Sequence, residues 1–405
     1  MSSTLLARQA IYDAHLNVHA YELLFRSHGE NTAAITDGDQ ATSTVLLNAF
    51  TALAVEEILE GKPAFVNFTR NLLDNPPPID PHRLVVEILE DVPIDAQMIA
   101  AVRALKTRGY TIALDDYVYV EGHQELIELA DLIKIDVLAQ SLEQVQALMQ
   151  QLRTYKGMLL AEKVETQAMF ETCKLLGFKL FQGYFLARPQ IVKGRALKGD
   201  QRTVLQLLTT IRKADVEFRD IAAIIQTDSV LSLKILRLVN SALFHQRREI
   251  TSIRQALTLL GMEKIRSWTH LLSLTKLDNQ PTALFTTTMV RARFGQLLAE
   301  QARGADLHGD SQFTIGLLST LDVFLSMELE EILNSISVPA SMRAAILQQR
   351  GSDGLLFAVT LAYERADWDS IDWQRLNALG IDAEKTQAAY LESLHWAQEN
   401  LELLR

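Results

Sequence analysis

The sequence predicts two folded units of different class. A (β/α)8 barrel spans residues 1–190, an all-α domain spans 202–405, and a linker at 191–201 joins them. Three observations predict this. Before residue 190, short β-branched and apolar runs alternate with helix-periodic stretches, the pattern of a parallel sheet with helical crossovers. After it, apolar residues recur at three- and four-residue steps with no strand-like alternation of any length. The 405 residues are 48% hydrophobic, enough to fill sizeable cores and to exclude a disordered chain.

The strand-like runs are AYELLF (20–25), AFVNF (64–68), RLVVEIL (83–89), YTIALDD (110–116), LIKID (132–136), MLLAEKV (158–164) and KLFQGYF (179–185). Amphipathic stretches such as STVLLNAFTALAVEEILEG (43–61) lie between them. Seven or eight such units in about 190 residues suit a small closed barrel better than an open sheet. Pro76, Pro77, Pro78 and Pro81 mark a rigid loop between a helix and the next strand. The segment QIVKGRALKGDQ (190–201), with two glycines and three basic residues, reads as the connection. Beyond it only Pro281 and Pro339 remain, and residues 220–244 place Ile221, Ile224, Ile225, Leu231, Ile235, Leu238 and Val239 on one helical side. The C-terminal YLESLHWAQENLELLR is amphipathic and fits either a bundle cap or a partner-facing helix. No tandem repeat or low-complexity tract interrupts the pattern.

Charge and cysteine content narrow the function classes. Lys+Arg 39 against Asp+Glu 50 leaves −11, which argues against direct DNA binding or an anionic membrane surface, since phosphate contacts need clustered Lys and Arg. The short basic group Arg247, Arg248 and Arg254 is read as a solvated loop. The single cysteine, Cys173, cannot form an intrachain disulfide and is read as packing in a reducing compartment. The start MSSTLLARQA is too short and polar for a signal peptide, and no uncharged apolar run approaches the ~18 residues of a membrane span. The expectation is a cytoplasmic, soluble protein.

The first half sets polar residues at the end of nearly every strand-like run. These are Glu22, Asn67, Glu87, Asp115 with Asp116, Lys134 with Asp136, Glu162 and Gln182. In a (β/α)8 barrel the strand C-termini open onto one face, where sites are built. Hard oxygen donors converging there suit Mg2+ or Mn2+, and a lysine among carboxylates neutralises charge or orients a water. Any one acidic residue near a strand end is more often a cap or loop residue, and Asp131 and Glu56 are read as plain surface. Seven positions in register are better explained as a site.

These residues carry a resemblance. Tyr21-Glu22-Leu23-Leu24-Phe25-Arg26 resembles the signature stretch of the EAL domain, the cyclic-di-GMP phosphodiesterase family. Asn67 in VNFT is similar to its N-x-S element, Glu87-Ile88-Leu89-Glu90 to E-L-T-E, Asp115-Asp116 to its Asp pair, and Lys134-Ile135-Asp136 to K-x-D. Glu162-Lys163-Val164-Glu165 resembles E-G-V-E, Gln182-Gly183-Tyr184 the closing Q-G-Y, and Gln9 stands where the family has Q-P-I. The resemblance implies a two-metal phosphodiesterase that opens cyclic di-GMP to linear pGpG. Glu22, Asn67, Glu87 and Asp115 would hold one Mg2+ or Mn2+, with Asp116 and Asp136 serving a second. Lys134 and Glu162 would position or deprotonate the attacking water, Gln182 would orient the site, and Gln9 and Arg26 would meet the substrate. Glu90 and Glu165 would support the surrounding loops.

The sequence departs from the family in three places. After the Asp pair it reads Tyr117-Val118-Tyr119-Val120-Glu121-Gly122, without the family's glycines and serine pair, so the loop cannot follow the same path. In the family that loop orders the second metal and supports a homodimer. Lys163 stands in place of a glycine, and Ala10 in place of a proline.

The second half resembles the HDOD domain, a helical relative of metal-dependent HD phosphohydrolases. IIQTDSVLSLKILRLVNSALF (224–244) and SIRQALTLLGMEKIR (252–266) carry it, with Asp228, Asn240-Ser241 and Leu259-Leu260-Gly261 the most specific points. Gly316-Leu317-Leu318 is similar to the stretch preceding the HD pair, but Ser319-Thr320 stand where His-Asp would be, and neutral hydroxyls are poor ligands. His245, His270 and His308 lack ligand spacing, so this half is expected to be non-catalytic and to contact an unidentified protein partner. Asn240 and Ser241 fit a buried polar link between helices better than a ligand site. Two readings follow for the whole chain. One is a phosphodiesterase that relays its state through the helical half, favoured by the complete residue set. The other is an inactive EAL receptor or scaffold, favoured by the altered loop. A third, weaker reading is regulation through protein contacts alone, and the family's usual outputs are motility and surface attachment.

Overall fold

The computed structural model describes residues 3–28, 58–90, 92–117, 123–187, 253–261, 281–303, 307–325, 327–335 and 338–404. The chain forms two compact units, Met1–Arg188 with Glu364–Trp368, and Pro189–Tyr363 with Asp369–Arg405. The stretch 43–57, the linker at 191–201, the helical segment 220–244 and residues Asp228, Asn240, Ser241, His245, Arg247, Arg248 and His270 lie outside the described residues, as does Glu56.

The first unit is a closed eight-stranded barrel: β1 (Ser3–Asp13), β2 (Val18–His28), β3 (Ala64–Phe68), β4 (Leu84–Ile88), β5 (Thr111–Leu114), β6 (Leu132–Asp136), β7 (Met158–Glu162) and β8 (Leu180–Gln182). The barrel is as expected, with one correction. The sheet is not wholly parallel: β1 runs antiparallel to both β2 and β8, while the other neighbours are parallel. The reason is local. Asp13 Oδ1 accepts the backbone N–H groups of His15 and Asn17 at 2.8 and 2.9 Å, a tight turn that joins β1 to β2 with no crossover helix.

Helices α1 (Arg70–Asp74), α2 (Ala96–Thr107), α3 (Gln124–Leu129), α4 (Leu142–Gln151) and α5 (Gln167–Leu176) cover the barrel between strands. Side-chain oxygens start most of them: Asp95 accepts from Met98 N at 2.7 Å, Thr166 from Met169 N at 3.2 Å, and Ser141 forms a capping box with Gln144. Gly177 ends α5 at φ 102°, a left-handed cap. The proline cluster is the expected loop: it follows α1 and closes on a 3-10 turn, Pro81–Arg83, immediately before β4. Cys173 is buried on α5, and burial pushes its thiol up to about 11, which makes it the packing residue expected. Asp131 is not the plain surface residue expected. Its carboxylate takes the Lys106 ammonium at 2.6 Å and the Ile112 N–H at 2.9 Å, stapling α2 to the start of β5.

The second unit is helical over all its described regular structure. α6 (Ile253–Leu260), α7 (Thr282–Gln301), α8 (Gly309–Leu318), α9 (Leu321–Leu325), α10 (Leu329–Ser335), α11 (Ala340–Gln348), α12 (Gly351–Arg365), α13 (Trp373–Ala378) and α14 (Ala383–Leu404) follow in order. Gly261 at φ 75° ends α6, so Leu259-Leu260-Gly261 is a helix end. Ile315, Leu318, Leu321, Phe324, Ile332 and Leu333 share one buried core. α7 and α8 cross closely because Gly316 has no side chain: a Cβ there would stand 2.4 Å from the Ala292 backbone. The C-terminal amphipathic stretch is the end of α14, where Tyr390 packs on Phe294 with ring centroids 5.5 Å apart and Trp396 on Phe313 at 5.8 Å. Among the described residues, no helix is long and apolar enough to cross a membrane.

Candidate active site

The site follows from the two-residue period of strands. One buried core cluster takes a residue from every strand: Ile11, Ala20, Phe65, Val85, Ala113, Leu132, Leu160 and Leu180. These form an apolar floor inside the barrel. Successive side chains alternate faces, so a step of two residues keeps the same face and rises one layer. That step gives Glu22, Asn67, Glu87, Asp115, Lys134, Glu162 and Gln182 on β2 to β8, and Gln9 on the antiparallel β1. One rule therefore places eight of the sequence-predicted residues in a single polar ring.

Lys134 is the centre of that ring. Its Nζ lies 2.5 Å from Glu87 Oε1, 2.7 Å from Asp115 Oδ1, 2.8 Å from Glu162 Oε1 and 3.6 Å from Glu22 Oε1. Lys134 and Glu87 are fully buried, and Glu22 and Glu162 nearly so. Burial alone would push the Lys134 ammonium down, but Glu87, Glu22, Glu162 and Asp115 together hold it well above its ordinary range. Four carboxylates surround one ammonium, so the ring keeps a negative excess. Burial, aided by Glu22 and Asp115 and opposed by Lys134, lifts the Glu87 carboxyl well above the usual range. Burial likewise pushes Glu162 up to about 8, with Lys134 opposing and Asp115 and Glu22 adding to it.

Gln182 fixes one side of the ring. Its Nε2 donates to Gln9 Oε1 at 2.9 Å and to Glu22 Oε2, and Gln9 is the cross-strand partner of Glu22. The strand ends are stitched by backbone bonds from Asp115 N to Ile88 O at 2.9 Å, Tyr117 N to Lys134 O at 3.0 Å, and Val164 N to Gln182 O at 2.9 Å.

The donor set bears on the expected metal. Among the described residues, no group of three or more His, Cys, Asp or Glu is arranged to hold a metal ion, and the Lys134 ammonium stands within 2.8 Å of Glu87, Asp115 and Glu162. Yet Asn67 Oδ1, Glu87 Oε2 and Gln182 Oε1 are buried and accept no hydrogen bond, while Glu87 Oε1 faces the Lys134 ammonium at 2.5 Å. Hard oxygen acceptors left unfilled beside excess negative charge suit a divalent cation such as Mg2+ or Mn2+.

The remaining predicted residues lie outside the ring. Asp136 is one further layer up β6, and Asp116 follows Asp115 at φ 38°. Arg26 is four residues past Glu22 on the same side of β2. Glu90, exposed, lines a cleft of roughly 170 Å3 with Asp115, Asp116, Tyr117 and His123. Glu165 is half-buried just past β7. Residues 118–122 of the departing loop lie outside the described residues. Sequence reasoning gave Lys163 no role, but its Nζ lies 2.6 Å from Asp136 Oδ2 and 3.6 Å from Asp116 Oδ2. The available signal was a cation replacing a glycine one residue beyond a barrel carboxylate.

In the helical unit, Ser319 and Thr320 are buried in a hydroxyl network. Thr320 Oγ1 is 2.9 Å from Thr288 Oγ1, and Ser319 Oγ accepts from Arg291 at 3.1 Å and donates to Gly316 O at 2.7 Å. Their oxygens are engaged in helix-to-helix bonds. His308 begins α8 without a side-chain cap. Nearby, half-buried Asp322 has its carboxyl pushed up to about 6 by burial, against the Val323 N–H and Arg291. A carboxyl raised in the folded state binds its proton more tightly there than when unfolded, so it lowers stability as pH rises from about 4 to about 6. Asp322→Asn is expected to be more stable than wild type at pH 7–8 by about 1 kcal/mol after solvent screening, and equal to it near pH 4. Urea denaturation at the two pH values checks this, and a constant difference would contradict the assignment.

Comparison with known proteins agrees with the two-unit division. Residues 22–189 match the EAL domain model and residues 200–348 the HDOD domain model. A Bacillus subtilis protein, the uncharacterised YuxH, is 32% identical over 96% of this chain and 97% of its own length. The cyclic di-GMP phosphodiesterase CdgJ of Vibrio cholerae is 31% identical over 98% of this chain and 93% of its own. The structure of Bacillus subtilis YkuI, an EAL-domain protein in complex with its substrate c-di-GMP and calcium, is 20% identical, covers 55% of this chain and 72% of that one, and has a TM-score of 0.38. Identity above 30% along nearly the whole of both YuxH and CdgJ, with both domain models matched in the same order, places the chain in the family of EAL–HDOD proteins.

Proposed function

We propose that this chain is a cytoplasmic signalling protein of the cyclic di-GMP system. Its barrel (residues 1–190) binds cyclic di-GMP and hydrolyses one phosphodiester to give linear pGpG, and its helical domain (202–405) relays that state to a protein partner rather than to DNA. The observation that carries this reading is the polar ring: a buried ammonium and four carboxylates, with amide oxygens beside them, one layer above an apolar floor.

Glu22, Asn67, Glu87 and Asp115 would hold a divalent cation, Mg2+ or Mn2+, which when bound supplies positive charge to a phosphate oxygen and acidifies a water. The rest belongs to the chain. Glu162, its carboxylate held 2.8 Å from the Lys134 ammonium, accepts the proton of the attacking water. Lys134 donates to the charge that builds on phosphorus-bound oxygen, without moving, because it is already fixed by carboxylates. Water adds to phosphorus as the ester P–O bond breaks, its proton passing to Glu162, and the departing sugar oxygen takes a proton from solvent water to leave a hydroxyl. Gln182 and Gln9 keep Glu22 in place, Arg26 meets the second phosphate, and Glu90 and Glu165 support the rim.

Purified protein incubated with cyclic di-GMP and Mn2+ or Mg2+ is expected to release pGpG, and Glu162→Ala to release at least ~100-fold less. Equal product from the variant would remove Glu162 from its role. A Ca2+ sample reports binding apart from turnover. The second reading, a receptor that binds without cleaving, is favoured by one observation: Asp136 already accepts from Lys163 and two backbone N–H groups. Binding in Ca2+ with no product in Mn2+ would establish it.

A further inference from the structure

The two carboxylates beyond the ring, Asp136 and Asp116, are those the family resemblance assigns to a second metal. In this chain they already have a cation. Lys163 Nζ donates to Asp136 Oδ2 at 2.6 Å and lies 3.6 Å from Asp116 Oδ2. The other oxygen of Asp136 accepts the N–H groups of Leu138 and Ala139 at 2.8 and 2.9 Å. Asp136 thus accepts from three donors, in contrast to Asn67 Oδ1 and Glu87 Oε2, which are buried and accept none. A divalent ion at this position would have to displace an ammonium at hydrogen-bond distance or sit beside its like charge, and only two carboxylates share Lys163, where four share Lys134 in the ring. The donor set at the second position does not fit a divalent metal.

Backbone geometry shows that the lysine is held there at a cost. Lys163 has φ 55°, a left-handed conformation that favours glycine and costs other residues about 1 kcal/mol or more. The conformation is fixed from both sides. Glu162 O accepts from Val137 N at 3.2 Å, and Val164 N donates to Gln182 O at 2.9 Å. Glu162 is also the register partner of Asp136 across β6 and β7, so a side chain leaving the next position has only one strand spacing to cross. A residue of the wrong class for its backbone, delivering its charge to these two carboxylates, points to a role at the site rather than to chance exposure.

We propose that Lys163 is a resident cation in place of the second divalent metal, so that the barrel takes a single divalent ion, at Glu22, Asn67, Glu87 and Asp115. This rests on the metal site of the proposed function. An ammonium can hold a substrate phosphate as a point charge. It cannot acidify a water as a metal does, so ligand binding is kept while hydrolysis is slow.

The test counts Mn2+ bound per full-length chain, by equilibrium dialysis with electron paramagnetic resonance of the free ion, with and without cyclic di-GMP. Wild type is expected to bind one. Lys163→Gly, which suits φ 55°, and Lys163→Met, which keeps the length but not the charge, are each expected to bind one more. The freed Asp136 oxygen and Asp116 Oδ1, buried without a donor, are the acceptors for it. Two ions in wild type, or equal counts in wild type and both variants, would overturn the proposal. The difference between variant and wild type tests Lys163, whereas a wild-type count of zero strikes at the proposed function itself, so the two failures are distinguishable.

Discussion

Replacing Lys134 with methionine is expected to destabilise the barrel by about 3–5 kcal/mol in metal-free buffer at pH 7–8, since it leaves buried carboxylates without their counter-charge. Methionine matches the stem of lysine, so little packing is lost and the effect reports charge. Glu87 is fully buried, and Asp115 and Glu162 lie 2.7 and 2.8 Å from the ammonium that would vanish. The deficit should shrink toward pH 5. Glu87 and Glu162 are raised in the folded state, so the folded chain holds more protons than the unfolded one, and stability falls as pH rises through that window. Mn2+ should restore more stability to the variant than to wild type, because the ion then enters a ring with no resident cation. Thermal melts with EDTA and with Mn2+, at two pH values, check all three. A variant as stable as wild type in EDTA at pH 8 would show that the ring carries no net burden of buried charge.

How much of this was legible in the sequence depends on the range of the interaction that sets it. The ring was legible because it is a local rule applied seven times. Each of Ala20, Phe65, Val85, Ala113, Leu132, Leu160 and Leu180 is followed two residues later by a polar group, and a strand preserves facing at that step. The first strand, β1, was not among the strand-like runs, and its antiparallel entry was not legible either, because Leu5, Ala7, Ile11 and Tyr12 fit a strand of either direction and only the Asp13 turn decides. Asp131 was misread for a similar reason: its partner Lys106 is 25 residues away, on the far side of a strand. Lys163 was visible as a substitution but not as an ion pair, since its partners lie on two other strand ends. The hydroxyl network at Ser319 and Thr320 depends on Thr288 and Arg291, which no spacing in the sequence connects to them.

Gly183→Ala is expected to be the most damaging single methyl group in the barrel. Gly183 has φ 145°, and a Cβ there would stand 2.1 Å from Val164 O and 2.5 Å from Val164 N. Both are backbone atoms of one residue, whose N–H donates to Gln182 O at 2.9 Å and whose carbonyl accepts from Phe185 N at 3.1 Å, so neither can swing aside as a side-chain tip would. Strain and overpacking together should cost about 3–5 kcal/mol. The displacement also falls between three site residues: Gln182 precedes the glycine, and Glu162 and Lys163 precede Val164. If the variant folds, a shift of about 1 Å in Glu162 should lower pGpG formation by ~100-fold or more. Gly177→Ala is the matched control. It too has a positive φ, 102°, but its nearest neighbour is a methionine methyl at 4.0 Å, so it should lose only the left-handed preference, about 1 kcal/mol, and keep activity. Equal behaviour of the two variants, in urea denaturation and in pGpG release, would mean that β8 yields freely at Gly183. The positions of Gln182 and Glu162 would then be set by their own hydrogen bonds and not by the backbone contact beneath them.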